Sequence, residues 1–171
     1  MLMRKYKSKE ITLNLPFNIG EFKFVPNDAE QRAAWELYFE FATRVSQRKF
    51  DREYSRLRAA FSSLHSLFRT TRDVLRKAGP DVSHGEESLG PLAINILNVG
   101  LAPYLTKWHH RLKAHEQNKS DDATDFDYER SWTHFEDAVS ELEKLRSDLL
   151  IYINALGEIS GAIDKKKTKY T

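Results

Sequence analysis

Arg69, Arg72 and Arg76 are spaced i, i+3 and i+7, while Arg48, Arg52 and Arg56 are spaced i, i+4 and i+8. In a helix each set falls on one face, and planar guanidinium forks on a common face suit phosphate. Lys77 extends the first set. Both belong to a basic block, residues 44–77, which holds ten basic and three acidic side chains for a net +7. An acidic block answers it: residues 116–148 hold four basic and eleven acidic side chains for a net −7. The last seven residues add Lys165, Lys166, Lys167 and Lys169. The overall +2, from 27 Lys+Arg against 25 Asp+Glu, is therefore a cancellation of opposed blocks.

If those blocks are neighbours, most of the arginines meet Glu136, Asp137, Glu141, Glu143 or Asp148. Exposed pairs add under about 1 kcal/mol each, so their main effect is to select which helix faces which. Nearly all of the aromatic side chains fall at seam positions and are not interleaved with the arginines, which weakens the case for nucleic acid. Phosphate or nucleic-acid binding by Arg69, Arg72, Arg76 and Lys77 is thus the alternative function.

Asn95 and Asn98 are the informative amides, because they interrupt the most apolar stretch of the chain. An unpartnered buried amide costs on the order of 1–3 kcal/mol. They therefore bond a neighbouring helix or the carbonyls released by Pro103, or else line a pocket or fix the register of an oligomer. The histidines carry no metal signal: His109, His110 and His115 share a segment, but the chain has no His-x-x-x-His or Glu-x-x-His pair, and no cysteine. No phosphate-cradling glycine loop, Gly-x-Ser-x-Gly elbow or His-Glu-x-x-His is present. The sequence predicts no metal, no cofactor and no catalytic residue.

The elements that must carry these residues are mostly helical. Ile11–Ile19 and Glu21–Val25 alternate at period two about Gly20, which predicts a β-hairpin whose Ile11, Leu13, Leu15 and Phe17 pack on the helices. The other use of its open edge is strand addition to another chain. Asn27 with Glu30 three residues on predicts a capping box opening a helix over 28–48, with Ala34, Trp35, Tyr38, Phe41, Ala42 and Val45 inward. Phe50, Tyr54, Leu57, Phe61, Leu64, Phe68, Thr71 and Leu75 form a heptad seam, stopped at Gly79-Pro80; no residue marks a break near Gln47–Lys49.

Ser88 predicts the cap of a third helix, apolar on nearly every face from Leu89 to Leu105 and hence buried all round, with a kink or break near Val99-Gly100 from Pro103. Glycines, prolines and the two asparagines inside this run argue against a membrane span. Thr124 or Asp125 caps a last helix to about Leu156, with Tyr128, Trp132, Phe135, Val139, Leu142, Leu149, Ile153 and Leu156 inward, and Gly157 and Gly161 weaken its end.

The expected fold is mainly α: a four- or five-helix antiparallel bundle with a short N-terminal β-hairpin. It is read as a single domain over 1–171, with the hairpin at 10–25, the bundle at 28–157 and a frayed basic tail at 158–171. A 171-residue chain can bury a real core. Three amphipathic helices already fill one another's seams, so an extra helix apolar on all faces needs outside cover. The expected function is a cytoplasmic, non-enzymatic interaction or assembly module, self-associating or bound to a co-encoded protein, with no membrane partner. Its interface or pocket would use Leu92, Asn95, Ile96, Asn98, Tyr104 and Trp108. A small-ligand pocket near Asn95 and Asn98 is the second alternative.

Overall fold

The period-two stretches pair as expected in the computed structural model, which describes residues 9–44 and 48–164. Strands β1 (Ile11–Leu15) and β2 (Gly20–Phe24) are antiparallel, with Ile11 opposite Phe24, Leu13 opposite Phe22 and Leu15 opposite Gly20. That register buries Leu13, Leu15 and Phe24 and turns Thr12, Asn14, Glu21 and Lys23 outward. Phe17 and Asn18 hold the turn at φ 60° and 58°, the doubly positive φ that matches the twist of the flanking strands.

Helix α1 (Asp28–Thr43) opens on the predicted capping box: Glu30 N–H donates to the Asn27 side chain at 2.8 Å, and Asn27 N–H to Glu30 Oε2 at 2.9 Å. Its buried face is Ala33, Ala34, Leu37 and Phe41. Trp35 and Ala42, expected inside, are exposed, and Val45 lies outside the described residues. The alanines beside Leu37 let the helix approach its neighbours closely, and the large Trp35 is left to stack on Tyr38 at 6.1 Å. The helix stops at Thr43 because Arg44 turns extended (φ −73°, ψ 147°), so the 28–78 region is two helices.

The seam expected from Phe50 begins only at Leu57. Asp51 Oδ1 accepts the N–H groups of Glu53 (2.8 Å) and Tyr54 (3.2 Å), a local turn that competes with helix. Helix α2 (Leu57–Ala78) buries Leu57, Ala60, Phe61, Leu64, Leu67, Thr71 and Val74; Tyr54 is exposed, and Phe68 and Leu75 are half-buried. It ends at Gly79, φ 77°, followed by a single turn at Pro80–Val82.

Helix α3 (Leu89–Glu116) is continuous. Pro103 has no N–H for Val99, and the chain absorbs the defect as a wide turn over Ile96–Leu101, in which Ala102 N–H reaches back to Leu97 O. The expectation of burial on every side is corrected here. Leu92, Ala93, Ile96, Leu97, Gly100 and Leu101 are buried, whereas Ile94, Asn95, Asn98, Val99, Pro103 and Thr106 face outward. By length and composition α3 could cross a membrane, but more than half of its apolar window is buried in the fold, as in the core helix of a soluble protein.

The long last helix is interrupted. Helix α4 (Asp125–Arg130), capped by Thr124 through Asp127 N–H at 3.1 Å, is separated by a turn from α5 (Phe135–Ser160). Trp132 in that turn is buried edge-on against Trp108 at 5.7 Å. Helix α5 runs beyond Leu156, because Gly157 admits Tyr38 and Ile163 and Gly161 (φ 76°) supplies the left-handed stop. The 158–171 segment is thus helical as far as Ser160, and its lysines 165–169 lie outside the described residues. The bundle is built on α1 against α5 and α2, with Phe41 edge-on to Tyr152 at 5.2 Å and Phe61 to Tyr104 at 5.6 Å; β1 lies on α5.

Candidate functional surfaces

The opposed charge blocks do meet, but only at one end of the basic one. Arg52 pairs with Glu136 at 2.8 Å, Arg56 lies 3.7 Å from both Asp125 and Glu129, and Arg58 pairs with Glu116 at 2.7 Å. The Arg52 hydrogen bond holds the Glu136 carboxyl below the usual range. Because residues 48–56 are not helical, Arg48, Arg52 and Arg56 share no helix face, contrary to the sequence expectation.

Two glutamates have uses that no motif announces. Glu129 is 1% exposed and accepts Leu57 N–H at 2.6 Å and Arg58 N–H at 3.1 Å, capping α2 from α4. Glu30 completes its own box and also accepts Leu89 N–H at 3.1 Å, capping α3 in place of Ser88, whose hydroxyl turns to Gly85 O. Helix α2 offers no cap of its own, and α3's predicted cap is diverted, so buried carboxylates on other helices complete both starts.

The other end of the basic block faces solvent. Ser62, His65, Arg69, Arg72 and Arg76 step by three and four along the exposed side of α2. Arg76 pairs with Asp73 of its own helix at 3.3 Å, and Lys77 with Glu36 of α1 at 3.0 Å. Among the described residues Arg69 and Arg72 have no carboxylate at ion-pair distance. On α3, His109 lies against Arg58 at 3.3 Å. Its pKa is lowered by burial first and then by the charges of Arg58, His65 and Lys113, against the pull of Glu116.

Of the residues expected at an interface or pocket, Leu92, Ile96, Tyr104 and Trp108 are buried in the chain's own core. Tyr104 donates its hydroxyl to Ala138 O at 2.9 Å, and burial raises its pKa. The Trp108 indole donates to Glu141 at 2.8 Å. Asn95 and Asn98 are neither buried nor bonded across helices as expected, but stand on the outer face of α3 between half-exposed Ile94 (49%) and Val99 (50%). From Leu89 to Thr106 the chain has no Asp, Glu, Lys or Arg, in a sequence that is 30% charged.

A shallow groove of about 330 Å3 runs between α3 and α5, lined by Lys107, Trp108, Arg111, His134, Asp137, Ser140 and Glu141. Lys107 is bonded to Glu141, and the His134 ring lies 4.0 Å from Asp137. Burial alone would raise the Glu141 carboxyl; the hydrogen bonds from Lys107 and Trp108 and the charges of Lys107 and Lys144 outweigh it and leave it below the usual value. The histidines are separately engaged, His110 with Thr106 O and His115 with Tyr128 O. Among the described residues no three His, Asp or Glu side chains are grouped to hold a metal ion.

Comparison with known protein families, with curated proteins and with solved structures finds no match. The residues that sequence reasoning missed are Ile94 and Val99, which it placed in the core, and His65 and Lys113, which with His109 join the arginines only in three dimensions. The unbroken lack of charge over Leu89–Thr106 was the available signal for the first pair.

Proposed function

We propose that this protein is a cytoplasmic, non-enzymatic interaction module that associates with a second copy of itself through the outer face of α3. The observation that carries this is the exposed stripe of Ile94, Asn95, Asn98, Val99, Pro103 and Thr106, which lies in the longest run of the chain without a charged residue, Leu89–Thr106; the exposed Leu150 and Ile151 of α5 lie beside Asp148 instead. A two-fold contact sets a patch against itself, so a patch with net charge would repel its own copy. A neutral one does not. An amide holds both a donor and an acceptor, so Asn95 and Asn98 can bond their own counterparts, while Ile94 and Val99 supply apolar area. The same neutrality gives neither an acidic nor a basic partner an advantage.

Sedimentation equilibrium between about 1 and 100 micromolar should show a concentration-dependent dimer. Ile94→Lys with Val99→Lys should give a monomer of unchanged helicity, since both side chains are half exposed. Leu97→Glu is not an equivalent probe, because Leu97 is buried and a charge there breaks the fold. A wild-type monomer across the range overturns the proposal, as does a dimer indifferent to the double lysine variant. Flotation of the monomer with phosphatidylcholine vesicles would assign the face to a bilayer and overturn it equally.

A further inference from the structure

We propose that the outer stripe of α2, formed by His65, Arg69, Arg72 and Arg76 and continued past His109 to Lys113 on α3, binds the phosphate backbone of a nucleic-acid duplex independently of sequence. This surface is separate from the uncharged face of α3, so either proposal can fail without the other.

The first argument is which charges are left over. The acidic block engages Arg52, Arg56 and Arg58 at the far end of the basic block. Carboxylates on the flanking helices are also taken: Glu36 by Lys77, Glu40 by Arg44 and Glu116 by Arg58. Arg69 and Arg72 therefore project between neutralised neighbours, and only Asp73 interrupts the stripe, paired with Arg76. The lowered pKa of His109, for which the charges of Arg58, His65 and Lys113 are causes second to burial, marks the same region as positive.

The second argument is geometry. At about 1.5 Å per residue, His65 to Arg76 spans about 16 Å of a straight, rigid element, or about five phosphates of one strand at about 3.4 Å each. Arginine forks match phosphate oxygens in pairs. The third argument is what the stripe lacks. Along the stripe stand Ser62, Ser66, Thr70 and Asp73; its nearest aromatic, Phe68, is half-buried with its ring 6.3 Å from His65, while the exposed aromatics Trp35 and Phe39 are on α1 and Tyr54 is in the preceding loop. With no exposed aromatic on α2 a single strand has no stacking platform for its bases, and with no exposed large apolar side chain on α2 the stripe has nothing to insert into lipid. Backbone contact with a duplex uses what is present.

The test is fluorescence anisotropy of the full chain on a labelled duplex of about 20 base pairs, at about 50 and 200 mM salt. Three or four phosphate contacts predict a fall in affinity of about 40- to 150-fold over that range. Arg69→Glu and Arg72→Glu should each weaken binding at least about tenfold with helicity unchanged, while Lys144→Glu on α5, the same change in net charge, leaves it within about twofold. Replacing the four tail lysines by Gln should leave the effect of Arg72→Glu intact. The proposal is overturned by absence of binding at low salt, or by equal losses in Arg72→Glu and Lys144→Glu. It is also overturned by tighter binding of a single strand than of the duplex, or by retention on anionic vesicles without duplex binding.

Discussion

Replacing Glu129 by Gln changes one oxygen to an amide nitrogen at a site 1% exposed, where the carboxylate caps a helix to which it does not belong. The native side chain gives one oxygen to Leu57 N–H at 2.6 Å and the other to Arg58 N–H at 3.1 Å. The amide keeps a single acceptor oxygen, so one of these two donors is orphaned, at about 1–3 kcal/mol. The surviving bond loses its charge assistance, and the start of α2 loses a negative charge, each worth about 1 kcal/mol in a partly buried setting. Arg56, 3.7 Å away, also loses its nearest buried carboxylate. These costs share partners and do not simply add, so the expected loss is about 3 kcal/mol. For a chain of this size that lowers the thermal midpoint by about 6–12 °C. Thermal unfolding by circular dichroism and urea titration at constant m would measure it. Glu136→Gln is the control, because it removes an ion pair of similar length to Arg52 from a fully exposed position and should leave the midpoint in place. A loss below about 1 kcal/mol for Glu129→Gln, or one equal to that of Glu136→Gln, would refute the view that the buried cap holds α2 in register.

Gly100→Ala should destabilise even though alanine favours helix by about 1 kcal/mol, since its Cβ would stand 2.5 Å from the Phe17 ring at the hairpin turn. A midpoint that rises would show the Phe17 contact to be dispensable. Glu141 has a lowered folded pKa, so its contribution is complete above its ordinary value of 4.5 and is lost as pH falls through the folded value. Glu141→Gln should therefore remove part of the acid limb of a stability–pH curve measured by urea unfolding; a curve parallel to wild type counts against the Lys107–Glu141–Trp108 cluster as its source.

What could be read from the chain was local. The capping box at Asn27 and Glu30, the stop at Gly79-Pro80 and the distortion upstream of Pro103 are governed by a few adjacent residues, and each stands where the spacing put it. What failed was the choice of face. Trp35 and Leu37 lie nearly opposite on α1, and only the closeness of α5 and α2 decides that the alanine side with Leu37 is buried while Trp35 is not. The seam through Phe50 and Tyr54 was arithmetically regular but crossed the Asp51 turn, whose side-chain bonds outweigh periodicity. Asn95 and Asn98 were correctly singled out and incorrectly buried, because an apolar stretch read alone does not reveal that one side of α3 is left uncovered by the described residues. Opposed charge blocks indicated that segments would pair, but not that Arg69 and Arg72 would be left over, since that depends on where α4 ends.

The glutamate caps that reach across the bundle also bear on how the molecule comes apart. The amides at the start of a helix ordinarily exchange with solvent first, because fraying exposes them without disturbing anything else. Here Leu57 and Leu89 donate to carboxylates 72 and 59 residues distant in the chain, so neither can be released until α4 leaves α2 or α1 leaves α3. Positions that would normally report the loosest motion of their helices instead report separation of the helices themselves. Peptides excised as α2 or α3 would lack that protection from the outset.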